Sequence, residues 1–133
     1  MDFSSIVLME KDKDTGILTK ELGSYKVDEG AEHITRAFCH AGIVNVIFDT
    51  ARDVEDWEYS AICDEFNEEV FTDEGFAIEF MEDEYNPTWL ITFSFDEDYD
   101  VVQDKISVLC SILNEEFSRV FEDIKSKQDE YTE

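Results

Sequence analysis

His33 and His40 are the chain's only imidazoles, and Cys39, Cys63 and Cys110 are its only thiols, so nucleophilic or transition-metal chemistry has few places to begin. Covalent catalysis needs a nucleophile within reach of a base that a third group orients. Cys39 adjoins His40, but the segment reads as a helix, where neighbours point about 100° apart, so the dyad is poorly formed. No G-x-S-x-G elbow is present either. The expectation is a buried Cys39 and a helix-end His40 that interacts with terminal carbonyls. Zinc ligands on one helix stand four residues apart, whereas His33 and His40 stand seven apart, and there is no C-x-x-C.

Carboxylates are abundant, yet they fall into no recognisable catalytic or calcium pattern. Asp12, Asp14 and Gly16 resemble the opening of a calcium loop, as do Asp96, Asp98 and Asp100. Such a loop needs Gly at its sixth position and Glu at its twelfth. The first run has Ile17 and Gly23 there, and the second has Val101 and Ser107. A hairpin turn and a helix N-terminus explain the two runs better. Glycosidase chemistry needs two carboxylates across a cleft, and so acidic a chain supplies pairs by number alone. There is no glycine-rich phosphate loop. Accordingly no catalytic residue, no metal ligand and no cofactor is assigned.

What the sequence does concentrate is negative charge. Between Asp53 and Asp104 there are nineteen Asp and Glu residues and no Lys or Arg. Formal charges are −3, −19 and −3 for residues 1–52, 53–104 and 105–133, within a total of −25. Such a field repels nucleic acid and anionic lipid and attracts basic proteins or cations. Direct nucleic-acid binding is therefore excluded, because phosphate affinity rests on Lys and Arg. No apolar run approaches the ~18–20 residues of a membrane span. Asp2 stands ahead of the apolar patch Ile6–Met9, which argues against a secretory signal. Three widely spaced cysteines do not make a disulfide framework, and a reducing cytoplasm is the expected location.

Acidity of this degree often means disorder, but disordered acidic segments lack aromatic and aliphatic residues. Here 43% of residues are hydrophobic and 14% aromatic. Trp57, Phe66, Phe71, Phe76, Trp89 and Phe93 recur inside the acidic stretch itself. At 133 residues the chain fits one domain, expected over 1–127, with 128–133 as a frayed tail.

Elements follow from periodicity. Strands are predicted over 4–10 and 17–27, joined by a turn at Asp14-Thr15-Gly16, with a bulge near Gly23. Ile34, Ala37 and Phe38 have helical spacing, which predicts a helix over 29–39, capped by Asp28 and stopped at Gly42. Ile43–Phe48 is dense in β-branched residues and reads as a buried strand. Residues 53–72 read mostly as helix from a cap at Asp53, although Trp57, Tyr59, Ala61 and Cys63 also alternate as in a strand. Phe76, Ile78 and Phe80, then Trp89, Ile91, Phe93 and Phe95, give two strands joined by a hairpin at Asp83–Pro87. Pro87 stands where the second strand begins and its missing N–H does least harm. Val102, Ile106, Leu109, Leu113, Phe117, Val120 and Ile124 form the stripe of a long C-terminal helix, capped by Asp98 or Asp100. Cys110 and Phe121 widen that stripe beyond a coiled-coil seam, so it should pack on the sheet against Trp89, Ile91 and Phe93. The predicted class is α+β: a mostly antiparallel sheet of about five strands in the order ββαβ(α)ββα, with that helix on one face.

Function is less legible than fold. The leading expectation is a non-enzymatic domain, monomeric or homodimeric, that binds a basic protein as an inhibitor, nucleic-acid mimic or immunity-type protein. Its charge profile is similar to those acidic mimics and immunity proteins, an analogy of composition alone. Duplex DNA carries one charge per ~1.7 Å, so nineteen carboxylates match about 32 Å of duplex. Turns and element ends are normally exposed, which selects Glu82, Asp83, Glu84, Asp96, Glu97 and Asp98 as the contact face, with Tyr85 as its aromatic anchor. Both Trp57 and Trp89 are expected in the core. The rival readings are acidity that serves solubility alone, or a small carboxylate-dependent enzyme.

Overall fold

Alternating apolar residues build a six-stranded sheet, one strand more than the sequence predicts. The computed structural model describes residues 5–12 and 14–131, with the backbone alone at Thr19. The strands are β1 (Ser5–Lys11), β2 (Leu18–Lys26), β3 (Ile34–His40), β4 (Ile43–Asp49), β5 (Ala77–Met81) and β6 (Thr88–Ser94), arranged β2-β1-β3-β4-β6-β5. Every neighbouring pair is antiparallel except β1 and β3, which meet in parallel at Glu10 and Cys39. The helices are α1 (Asp56–Glu65), α2 (Glu69–Thr72), α3 (Tyr99–Ile124) and α4 (Gln128–Tyr131). The α+β class and the long C-terminal helix on the sheet stand as predicted.

The predicted helix over 29–39 is not formed. A short 3-10 turn, Ala31–His33, leads directly into β3, which pairs with β4. The reason lies in a register shift between Ile34 and Arg36. The inserted residue puts Ile34 and Ala37 on the same face three positions apart, which imitates helical spacing. Gly42 is not a helix stop but half of a two-residue hairpin turn, with Ala41 at φ +52° and Gly42 at φ +79°. Asp28 accordingly caps no helix here. Gly30, at φ +105°, lies so close under α3 that a Cβ would sit 2.1 Å from the Cys110 carbonyl oxygen.

Helix wins over strand at residues 53–72, where α1 and α2 form. The cap is Glu55, not Asp53. Near Gly23 the expected irregularity is present: Leu8 pairs with Gly23 but Met9 with Glu21, leaving Leu22 as the extra residue. The expected frayed tail is replaced over 128–131 by α4, whose Tyr131 hydroxyl donates to Asp64 (2.8 Å). Ser4 of the first predicted strand, and Thr132 and Glu133 of the tail, lie outside the described residues.

The core sits between α3 and the inward face of the sheet. Phe117 is its centre, with ring centroids 5.3 Å from Phe66, 5.9 Å from Phe48 and 6.1 Å from Trp89. Leu109, Leu113 and Val120 of the same stripe have no exposed surface. Truncating a fully buried leucine loses both transfer energy and packing. Leu113→Ala should therefore cost about 2–5 kcal/mol in denaturant unfolding. A loss below about 0.5 kcal/mol, typical of surface positions, would contradict this packing.

Candidate functional site

The acids of 53–104 do not form one array. Three acidic clusters, the third formed largely by Glu116 and Asp123 of α3, differ in chemistry. The first is one end of the sheet, where the loop before α1 meets the β5–β6 hairpin. Asn86 joins the two: its amide donates to Asp53 Oδ1 (3.1 Å) and its oxygen accepts the Val54 N–H (3.3 Å). The hairpin turns through Asp83 at φ +69°, a left-handed conformation that Asp tolerates better than most residues. Glu82, Asp83, Glu84 and Tyr85 are all exposed, Tyr85 to 79%. Across from them α1 begins with Glu55 and Asp56, also exposed.

Some carboxylates of this end serve the fold. Glu58 Oε1 accepts the Glu55 N–H (3.0 Å), and Glu58 Oε2 pairs with Arg52 (3.0 Å). Burial pushes the Glu58 carboxyl up, but the Glu55 N–H and Arg52 outweigh it and hold it below the usual range. Glu55 Oε2 accepts the Trp57 indole N–H (2.8 Å). No hydrogen bond or ion pair engages the side chains of Asp56, Glu82, Asp83 or Glu84 among the described residues. Tyr59 registers them: burial first, then Cys63, Asp83, Glu84 and Glu82, raise its phenol above the ordinary value. Among the described residues this end thus holds Asp53, Glu55, Asp56, Glu58, Glu82, Asp83 and Glu84, with Arg52 paired to Glu58 and Lys125 across the adjoining groove. Beside it, Arg52, Trp57, Glu58, Phe121, Ile124 and Lys125 line an open groove of about 480 Å³.

The second place is the opposite end of β6. Asp96 Oδ1 accepts the Asp98 N–H (2.7 Å), and Asp98 caps α3 by accepting the Asp100 N–H (3.0 Å). The seven residues of β6 separate this cluster from the hairpin by about 20 Å at ~3.3 Å per residue. The structure therefore brings Glu82, Asp83, Glu84 and Tyr85 together, and Asp96, Glu97 and Asp98 together, but not the two groups. The third place is already compensated. Arg119 pairs with Glu116 (2.6 Å) and Asp123 (2.9 Å), and Lys127 pairs with Glu65. Glu116 is nearly buried and also accepts the Asn67 N–H (2.7 Å).

Sequence reasoning missed Glu116, Asn86 and Glu68, which accepts the Trp89 indole N–H (3.1 Å). Only Glu116 left a signal, as an acid three residues after Leu113 on the apolar stripe. Trp89 is in the core as expected, while Trp57 is half-buried. The helical placement of Cys39 and His40 is also corrected, while Cys63 and Cys110 stand on helices as expected. On β3, Cys39 faces the core and His40 the opposite side, where its Nδ1 donates to the Lys11 carbonyl (3.3 Å). Burial raises the Cys39 and Cys110 thiols and pushes Cys63 up to about 11, all away from the reactive thiolate. Among the described residues, no three His, Cys, Asp or Glu side chains converge to hold a metal ion. No helix among them is long and apolar enough to cross a membrane.

Over residues 1–132 the sequence matches a family of unknown function, DUF6762. The chain belongs to that family. No curated protein and no solved structure matches it. Membership in DUF6762 covers nearly the whole chain, so both the hairpin end and the compensated cluster fall within the family's extent.

His33 closes the core beneath the hairpin end of the sheet. Its ring stacks on Phe117 with centroids 4.0 Å apart, and Nδ1 donates to the Asp49 carbonyl (2.8 Å). Burial lowers its pKa, with the Asp49 carbonyl, Glu32 and the Asp49 carboxylate opposing. The folded state thus holds His33 neutral, while the unfolded chain takes up a proton near ~6.5. Stability contributed by His33 is complete above that value and declines as pH falls from it through the lower folded value. Urea titrations of the protein and of His33→Gln should differ less at pH 5.5 than at pH 7.5. An equal or larger difference at the lower pH would contradict a neutral buried imidazole.

Proposed function

We propose that this protein binds a basic protein through the acidic end formed by the α1 start and the β5–β6 hairpin. The observation that carries the reading is that Glu82, Asp83 and Glu84, without a hydrogen-bond or ion-pair partner among the described residues, adjoin the 79%-exposed Tyr85 on a hairpin that Asn86 ties to the acidic start of α1. An exposed aromatic ringed by one sign of charge suits a docking surface: the ring supplies contact area and the field supplies steering and selectivity. Seven carboxylates match about 12 Å of duplex charge. That extent fits a basic patch or loop on a protein better than mimicry of a long duplex. A partner that also touched Asp96–Asp98 would have to span about 20 Å more.

The binding is stoichiometric and non-catalytic in this reading. Its support is that the thiols are held away from the thiolate, and that the carboxylates stand on exposed turns rather than in a water-excluded cleft. Free thiols at Cys39, Cys63 and Cys110 favour a reducing cytoplasm as the place of action.

Partners captured from host lysate at low salt should be basic. Association of a purified partner should slow steeply as ionic strength rises, since the screening length shortens to ~8 Å at physiological salt. Reversing Glu82, Asp83 and Glu84 to Lys should cut the on-rate about tenfold or more, within the range that steering supplies. The same reversal at Asp96, Glu97 and Asp98, with circular dichroism confirming that α3 stays folded without its Asp98 cap, should leave it within about threefold, because that cluster lies beyond the screening length. Equal effects of the two triple variants, or partners that are not basic, would reject this surface.

A further inference from the structure

The helices all pack on one side of the sheet, and the other side lies open among the described residues. Residues paired across strands share a face. The registers therefore put Val7, Phe38, Ile43, Ile47, Leu90 and Met81 on the open face. Val7 is 43% and Ile43 40% exposed. A solvent-facing side of an antiparallel sheet is ordinarily polar, and here six apolar side chains stand among Ser24, Asn45, Thr92 and Ser94 of the same face.

Its charges are also unlike the rest of the chain. The β2-β1-β3 half carries Lys26, Lys11 and Arg36 against Glu21, while the β4-β6-β5 half carries Asp49 and Glu79 and no cation. The two halves cancel, in a protein whose formal charge is −25. Lys11 and Arg36 lie 4.8 and 4.9 Å from the Phe38 ring centroid, which holds both cations on the face.

We propose that this face binds the same face of a second copy, giving a two-fold dimer stacked sheet on sheet. Two copies this acidic can approach closely only where the surface is locally neutral. A two-fold axis parallel to the strands, between β3 and β4, lays β2 over β5, β1 over β6 and β3 over β4. Reading along the registers, Lys26 then falls two residues along the strand, about 7 Å, from the partner's Glu79, and Arg36 two residues from the partner's Asp49, within reach of their long side chains. Val7 falls over the partner's Leu90. The positive half of each copy thus covers the negative half of the other, and the pairing is self-complementary as an isologous contact requires. Strands spaced ~4.8 Å apart, with ~3.3 Å per residue, give a face on the order of 500 Å² per copy. Standard interfaces bury about 800 Å² per partner, so this dimer forms and dissociates with concentration.

Sedimentation velocity on the purified full chain, from about 1 to 100 µM, tests this without any basic partner. The expected result is a shift from the 15.5 kDa monomer toward twice that mass as concentration rises. Lys26→Glu and Glu79→Lys should each weaken the dimer about tenfold, because the two-fold axis repeats the lost pair and the new repulsion. The double variant Lys26→Glu/Glu79→Lys should return to within about threefold of the original, because each copy then carries the swapped pair. Circular dichroism melts check that each variant is folded. A 15.5 kDa species throughout would overturn the proposal. So would a dimer indifferent to the single reversals, or one that the double variant fails to restore. Reversing Glu82, Asp83 and Glu84 should leave the dimer unchanged, which separates its failure from that of the acidic docking surface.

Discussion

The contact of Phe117 with the sheet is the interaction on which the rest depends. Its ring meets Phe48, Phe66, Trp89 and His33 at once, so one residue of α3 joins strands β4 and β6, the end of α1 and the turn before β3. A chain with a formal charge of −25 must overcome self-repulsion to be compact. It does so with an aromatic cluster whose members bury far more area than aliphatic residues would. With that cluster in place, the carboxylates can occupy turns, helix starts and rims, and what each one does is set by where the cluster leaves it.

Several of those carboxylates are part of the structure rather than surplus charge. Glu68 satisfies the buried Trp89 indole, Glu116 ties the α1–α2 junction to α3, Asp98 caps α3, and Glu58 closes the first turn of α1. Each has a defined donor, and loss of the acceptor would leave a polar group unsatisfied. The contrast is with Glu82, Asp83 and Glu84, which stand on a clamped hairpin and engage no donor among the described residues. Fold-bearing acids and idle acids are indistinguishable by composition. The fold separates them, and three of the idle ones, Glu82, Asp83 and Glu84, adjoin Tyr85.

How much could be read in advance varied with the kind of signal. The stripe from Val102 to Ile124 was plain, because seven positions keep one phase over a long helix. The β5–β6 hairpin was equally plain from strict alternation. Residues 34–40 were misread because a bulge at Thr35 gave Ile34 and Ala37 a three-residue spacing, and Gly42 serves a hairpin turn as readily as a helix end. Tyr85 was identifiable as exposed from its place in a connection. That Asp96–Asp98 and Glu82–Glu84 lie at opposite ends of β6 was not legible, since proximity in sequence across a strand is distance in space. The clamp by Asn86 left no trace, as an Asn in a loop is common and its partner, Asp53, is 33 residues away. The neutral open face was hidden too, because its charges come from five strands scattered along the chain.

Two surfaces emerge, one acidic with an exposed aromatic on its hairpin and one of balanced charge on the open side of the sheet. Only the first accounts for why a small domain would carry so much unpaired charge at one end. Titrating the isotope-labelled protein with a short lysine- and arginine-rich peptide, and following backbone amide shifts, tests that claim most directly. The account predicts perturbations concentrated at residues 53–59 and 82–86, with 96–100 and the 116–123 ion-pair network nearly silent. Shifts spread evenly over all the acidic positions would show that the charge acts as a diffuse field, and that the hairpin end is not a binding site.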